Sequence, residues 1–204
     1  LTESGYTDSD PQWVLGGNAI LFKSERYGMR NHASWGTLED AMIVFLNRKS
    51  YDEFKMTTEE KELEKEISGL SKSADEKDTK DIVEDIVVEL EGIEDRIIRL
   101  TPTSSTLGSA ALSKDGKTLY YQASYESGMN LWKYDLEKGV PTKVGSARGR
   151  MKWDEKQGTL YVLGGRFSKM KEGGKSLENI SVSSDMVMDL AAEREYMFDH
   201  VYRQ

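Results

Sequence analysis

Histidine is the side chain most often used for acid–base chemistry near neutral pH, and this sequence of 204 residues holds two, His32 and His200. Any serine–histidine–aspartate or histidine–metal scheme must use one of them. His32 stands beside Ser34 and near Asp40, so a base with its nucleophile and carboxylate can be drawn. A triad, however, needs convergence in space that sequence spacing does not supply. His32 reads better as a turn residue bonded to backbone, and His200, on a helical face with Met197, as an interface residue. The acidic run Asp75, Glu76, Asp78, Asp81 and Glu84 lacks the glycine-turned spacing of a calcium loop and reads as a solvated charge run. Gly174-Lys175-Ser176 ends like a phosphate-binding loop, but Lys169 occupies the place of its opening glycine, and Gly164-Gly165-Arg166 completes no dinucleotide fingerprint. With no cysteine there is no disulfide, thiolate nucleophile or thiolate metal site. This reading assigns no catalytic residue, no cofactor-binding residue and no metal ligand.

The elements that must position any site are announced by a repeat. Gln12-Trp13-Val14-Leu15-Gly16-Gly17-Asn18-Ala19-Ile20-Leu21-Phe22, Ala111-Leu112-Ser113-Lys114-Asp115-Gly116-Lys117-Thr118-Leu119-Tyr120-Tyr121 and Lys152-Trp153-Asp154-Glu155-Lys156-Gln157-Gly158-Thr159-Leu160-Tyr161-Val162 share one pattern: a large apolar residue, a tight polar turn, a short apolar strand. The second and third copies lie 41 residues apart, the length of one four-stranded propeller blade. The first precedes the second by 99, enough for one blade and an insertion. A lone blade cannot bury both its faces, so the repeat predicts an all-β array of propeller blades, four-stranded and antiparallel, at about 1–101, 102–145 and 146–184.

Within the first blade the spacing predicts a strand at Ala19 to Ser24 and a strand buried on both faces over Asp40 to Asn47. From Arg48 the composition turns charged, and a helical insertion occupies about 50–85. Thr57 with Glu60 forms a capping box. Leu63, Ile67 and Leu70 then share a narrow face suited to surface docking, whereas Ser68 to Lys80 is too poor in apolar residues to offset the entropy of ordering. Order returns at Ile86 to Leu90, and Ile93 to Thr101 closes the blade. The second blade is read as Ser109 to Leu112, Thr118 to Ala123, Asn130 to Leu136 and Thr142 to Val144, joined by turns at Lys114-Asp115-Gly116-Lys117, Glu126-Ser127-Gly128 and Glu137-Lys138-Gly139. The third is read through Trp153, Leu160 to Leu163, Phe167 to Lys171 and Leu177 to Val182, with turns at Gly164-Gly165 and Gly173-Gly174. Beyond Ser184 the period becomes helical, with Leu190, Met197 and Val201 on one face.

Trp13, Trp132, Trp153, Tyr120, Tyr121, Tyr134 and Tyr161 could stack on peptide or sugar, but their recurrence in the repeats predicts packing between blades. Arg26, Tyr27, Arg30 and Tyr125 fall in loops and are candidate peptide contacts. A net charge of −8 argues against a nucleic-acid backbone as the main partner, and no run approaches a membrane span. The sequence opens at Leu1 without a signal-peptide pattern and closes in an amphipathic run that reads as unfinished, so the expectation is a piece of a larger scaffold.

Asp10-Pro11-Gln12-Trp13 with Ile20-Leu21-Phe22, the order His32-Ala33-Ser34-Trp35-Gly36, Phe45-Leu46-Asn47, charged insertion, Gly92 to Thr101, and the closing Ala191 to Gln204 together resemble tricorn-protease-like serine peptidases. Their blades are similar to TolB-type propellers. The resemblance implies the last blades of a propeller, with 185–204 beginning the peptidase half and the catalytic groups downstream. It also implies a propeller that admits or filters peptides or unfolded protein for that half, and favours an exported or periplasmic bacterial protein, while the sequence itself leaves the compartment open, cytoplasmic included. The alternative is a TolB-like module that binds a protein or glycan with no hydrolase attached. A blander reading is a repeat domain that self-associates through its open blade edges.

Overall fold

The computed structural model of the chain describes residues 2–3, 5–30, 36–71, 85–125, 128–185 and 187–203. Its strands form three four-stranded antiparallel sheets, each ordered as the chain runs. Blade 1 is β1 (Asp8–Val14), β2 (Ala19–Ser24), β3 (Asp40–Phe45) and β4 (Ile97–Arg99). Blade 2 is β5 (Thr106–Leu112), β6 (Thr118–Ser124), β7 (Asn130–Asp135) and β8 (Val140–Ser146). Blade 3 is β9 (Arg150–Trp153), β10 (Thr159–Leu163), β11 (Phe167–Lys171) and β12 (Glu178–Ile180). Helices α1 (Arg48–Lys55) and α2 (Thr58–Ser71) interrupt blade 1 between its third and fourth strands, and α3 (Leu190–Tyr202) follows blade 3.

Side chains alternate across a strand, so each sheet presents two faces. Blade 2 is buried on both. Leu112, Leu119 and Tyr121 pack with Leu21, Ile43 and Phe45 of blade 1, while Ala111, Tyr120 and Leu131 pack with Met151, Leu160 and Met170 of blade 3. This two-sided burial explains why Leu119 to Tyr121 reads as a continuous apolar run rather than an alternating one, and Ala41 to Phe45 does so because Met42 and Val44 pack with Phe22, Leu46 and Ile93 on the other face of blade 1. Polar groups tie the blades at their margins. Gln12 Nε2 donates to the Ala110 carbonyl at 3.2 Å, the Met151 N–H to Ser109 Oγ at 3.0 Å, and the Gly173 N–H to the Tyr120 hydroxyl at 2.9 Å.

The turns follow their chemistry. Asp115 Oδ1 accepts from the Lys117 N–H at 3.0 Å, and Gly116 takes φ 73° where a side chain is disfavoured. Asp154 fills the same role in blade 3, accepting from the Gly158 and Thr159 N–H groups at 2.7 and 3.1 Å. The capping box forms as its sequence implies: the Glu60 N–H donates to Thr57 Oγ1 at 3.2 Å and the Thr57 N–H to Glu60 Oε2 at 2.8 Å.

Several expectations are corrected. The charged insertion opens with a helix that the composition shift concealed, α1, whose N-cap Asn47 accepts from the Ser50 N–H at 2.9 Å. On the α2 stripe Leu63 and Ile67 are 58% and 60% exposed, and the Leu70 side chain lies outside the described residues. Residues 85–90 carry no regular structure, and Ile93–Arg96 forms a 3-10 turn before β4. The turn expected at Gly164-Gly165 does join β10 to β11, and Gly164 there also permits close approach, since a Cβ would meet the Arg148 carbonyl oxygen at 2.1 Å. The readings of His32, Ser34 and Trp35, of most of Ser68 to Lys80, of the acidic run, and of Glu126 and Ser127 concern positions outside the described residues.

Candidate functional site

Asp40 is the one member of the drawn triad that the structure describes, and its carboxylate is fully committed to structure. Its side chain is completely buried at the start of β3. Oδ1 accepts from Arg99 Nε at 2.9 Å and from Thr101 Oγ1 at 2.6 Å, and Oδ2 from Ser104 Oγ at 2.7 Å. Arg99 lies 5.5 Å from the centroid of the Tyr27 ring, and its Nη2 donates to Ser104 Oγ at 3.1 Å. This knot fastens β3 to β4 and to the link leading into blade 2. Among the described residues the knot consists of one carboxylate, one guanidinium and two hydroxyls.

His200 stands exposed on α3, stacked on Tyr196 at 6.2 Å between ring centroids. Among the described residues no group of three or more histidine, aspartate or glutamate side chains is arranged to hold a metal ion. Lys175 and Ser176 are exposed in the turn between β11 and β12, where the Gly174 N–H donates to the Lys171 carbonyl at 2.9 Å. No helix begins at this turn to receive a phosphate.

The aromatics divide by face. Tyr120 and Tyr121 are fully buried, and Trp153 meets Tyr120 edge-on at 5.5 Å. Burial pushes the phenol of each tyrosine above its ordinary range, and for Tyr121 the hydrogen bond with Tyr125 adds to the effect. They serve as packing groups, neutral at ordinary pH. Trp132 and Tyr134 pack against the core between blades 1 and 2, but Trp132 lies on the third strand of its blade and is no counterpart of Trp153. Trp13 departs from the packing expectation: it is 62% exposed, on the face of blade 1 that points away from blade 2. Tyr161 is half-buried on the corresponding outer face of blade 3.

Arg26, Tyr27, Arg30 and Tyr125 lie at the end of the blades opposite α1. The Arg30 guanidinium sits 6.0 Å from the Tyr6 ring centroid, and the Tyr125 hydroxyl donates to that of Tyr121 at 3.2 Å. These residues belong to two different blades, with Tyr27 and Tyr125 engaged in local contacts.

A concave feature that sequence reasoning missed lies at the other end. A groove of about 650 Å³ runs between α1, the start of α2 and the turns of blade 2. Its floor is Leu15, Phe54, Met56 and Leu136, and its rim carries Lys55, Lys61, Lys117 and Glu137. The groove exists because α1 is anchored: Tyr51 and Phe54 pack on Phe45 at 5.8 and 5.0 Å, and Asn47 Nδ2 donates to Asn18 Oδ1 at 3.1 Å. The signal available in the sequence was Asn47 as a cap followed by two aromatics three positions apart. At the rim Lys117 pairs with Glu137 at 2.8 Å. Burial alone would raise the Asp115 pKa, but bonds from the Ser113 hydroxyl and Lys117 N–H, with the Lys117 charge, outweigh it and hold the carboxylate below its ordinary value. An apolar floor with a mixed-charge rim suits an extended peptide, and the Thr57 hydroxyl at its edge donates to Glu60 Oε2 at 3.1 Å as part of the capping box.

No family model matches the sequence, and no curated protein matches it. Among solved structures the chain superposes on tricorn protease with a TM-score of 0.60 at 13% identity, over 98% of this chain and 20% of that one. It is a set of β-propeller blades. TolB from Acinetobacter baumannii matches at TM-score 0.48 and 10% identity, over 88% of this chain and 33% of that one. The β-propeller domain of the Trilobed protease from Pyrococcus furiosus matches at 0.45 and 14%, over 87% and 43%. The blades span about a fifth of the length of the tricorn protease chain.

Proposed function

We propose that these blades are the non-catalytic part of a longer tricorn-like serine peptidase, where they hold or admit peptides for a hydrolytic domain that 185–204 begins. The observation that carries the reading is the superposition on tricorn protease across 98% of the chain. It is supported by α3, which exposes Leu190, Tyr196, Met197, Phe198 and Val201 by more than half each. A helix apolar on several sides is suited to burial in a larger body rather than to water.

The proposed peptide contact is the groove beneath α1, whose floor offers apolar surface and whose open ends suit a strand of peptide rather than a compact ligand. Two measurements test the reading. Incubated with unstructured peptides beside the full-length parent, this chain yields no turnover sensitive to serine-directed inhibitors; such turnover by the chain alone refutes the non-catalytic role. In a fluorescence titration with a labelled peptide, Met56→Asp weakens binding about tenfold, the scale of about 1.4 kcal/mol. Unchanged affinity in a folded variant removes the groove from the proposal. A reading frame that continues past Gln204 into a stop or further blades, instead of a hydrolase, favours the binding-module alternative.

A further inference from the structure

The groove beneath α1 carries a charge that its own walls do not balance. Each carboxylate lining it is already engaged. Glu137 pairs with Lys117 at 2.8 Å and Glu53 with Lys49 at 3.8 Å, while Asp115 accepts from the Ser113 hydroxyl at 2.6 Å and the Lys117 N–H at 3.0 Å. The two groove lysines of α1 and α2 are not so matched. Lys61 has no ion-pair partner among the described residues. Lys55 has Tyr51 alone, its Nζ donating to the phenol oxygen at 3.4 Å and lying 5.1 Å from the ring centroid. The carboxylates beside Lys55 on the far side of the α1–α2 link are taken as well, Asp52 by Arg48 at 3.9 Å and Glu60 by the capping box.

Position gives this imbalance its weight. Lys61 is half-buried in the first turn of α2, where its own N–H donates to the Thr57 carbonyl at 3.0 Å and the capping box fixes the turn. An ammonium partly withdrawn from water gains more from an opposite charge than a fully exposed one, because the local dielectric is lower and salt screens it less. The chain as a whole has a net charge of −8, so a local surplus of cations runs against its overall balance. Beside these cations lies the apolar floor of Phe54, Met56 and Leu136.

We infer that the groove selects peptides in which an apolar side chain is accompanied by an aspartate or glutamate. The apolar group rests on Phe54, Met56 and Leu136, and the carboxylate meets Lys61 with Lys55 beside it. This inference rests on the reading of the groove as the peptide contact. Because the groove is open at its ends, a peptide passes through it and presents side chains rather than a terminus. A terminal carboxylate is the other source of the same chemistry, and the test separates the two. Lys61 is thereby a specificity-determining residue, with no part in breaking a bond.

Fluorescence anisotropy tests it, with short unstructured peptides blocked at both ends and identical except for one residue beside a central leucine. Aspartate or glutamate there binds about tenfold more tightly than asparagine or glutamine, and the advantage shrinks as salt is raised. Lys61→Gln removes the advantage but leaves the amide peptides bound as before, and Lys61→Glu turns the preference to lysine at the same place. Lys143→Gln, at an exposed position on β8, keeps the parental preference. Circular dichroism verifies that each variant is folded. Equal affinity for acidic and amide peptides, or an acidic preference that survives Lys61→Glu, overturns the inference; the groove itself stands if Met56→Asp still weakens the amide peptides. A preference that appears only when the peptide's C-terminus is left free assigns the charge to the terminus and also overturns it. Loss of all peptide binding, or affinities unchanged by Met56→Asp, removes the groove reading and the inference with it.

Discussion

Replacing Asp40 distinguishes a structural carboxylate from a catalytic one, and its cost follows from the contacts. The side chain is fully buried and accepts three hydrogen bonds, from Arg99 at 2.9 Å, Thr101 at 2.6 Å and Ser104 at 2.7 Å. Bonds to a charged group contribute about 1.5–3 kcal/mol each, but three that share one carboxylate do not add. The Arg99 side chain is 32% exposed, so its charge regains part of its hydration when the partner is lost, and the full penalty for an orphaned buried ion does not apply. Asp40→Asn keeps the volume and one acceptor, and should destabilise by about 2 kcal/mol. Asp40→Ala loses both acceptors and leaves a cavity, for about 3–4 kcal/mol. In urea, with a slope of about 2 kcal/mol per M, the two midpoints fall by about 1 M and somewhat under 2 M. A cycle with Arg99→Met should return a coupling of about 1–2 kcal/mol. If Asp40→Asn unfolds within about 0.5 kcal/mol of the parent, the knot does not hold the blade link and the reasoning fails.

Gly149→Ala should cost more than about 2 kcal/mol, because Gly149 has φ 142° and a Cβ would sit 2.3 Å from the Leu163 carbonyl oxygen; a thermal melt unchanged from the parent counts against this close approach. Leu160→Ala, at a fully buried site between blades 2 and 3, should destabilise by about 2–5 kcal/mol, and loss of near-ultraviolet circular dichroism from Trp153 should accompany it. Asp115→Asn removes a carboxylate whose folded pKa lies below the ordinary value of 3.8. Its stabilisation is present above that value and is lost as pH falls through the folded pKa, so parent and variant should converge in acid and differ at pH 7. Glu39 is shifted the other way, chiefly by burial, with Lys23 opposing. Its folded form favours the proton, so stability falls as pH rises from the ordinary value of 4.5 through the raised one, and Glu39→Gln should be neutral or stabilising at pH 7 in a denaturant titration.

The sequence by itself determined the blades. Strand periodicity, glycine and aspartate at Asp115-Gly116 and the recurring apolar–turn–strand unit are local properties, set by backbone sterics and side-chain alternation, and they are legible without neighbours. The Thr57–Glu60 capping box belongs with them, since its two bonds span only three positions. What only the tertiary structure decided depends on residues far apart in the chain. In the sequence Asp40 is legible only as a neighbour of His32 and Ser34; that Arg99, Thr101 and Ser104, from 59 to 64 positions away, close around it is decided by the fold. Helix α1 hid within a charged segment because eight residues are too few to be ordered alone and its order comes from Tyr51 and Phe54 docking on Phe45, and with it hid the groove. Trp13 and Trp153 share a sequence pattern, yet one is exposed and the other packed on Tyr120, because burial is a property of what lies across the face and no single strand encodes its neighbour.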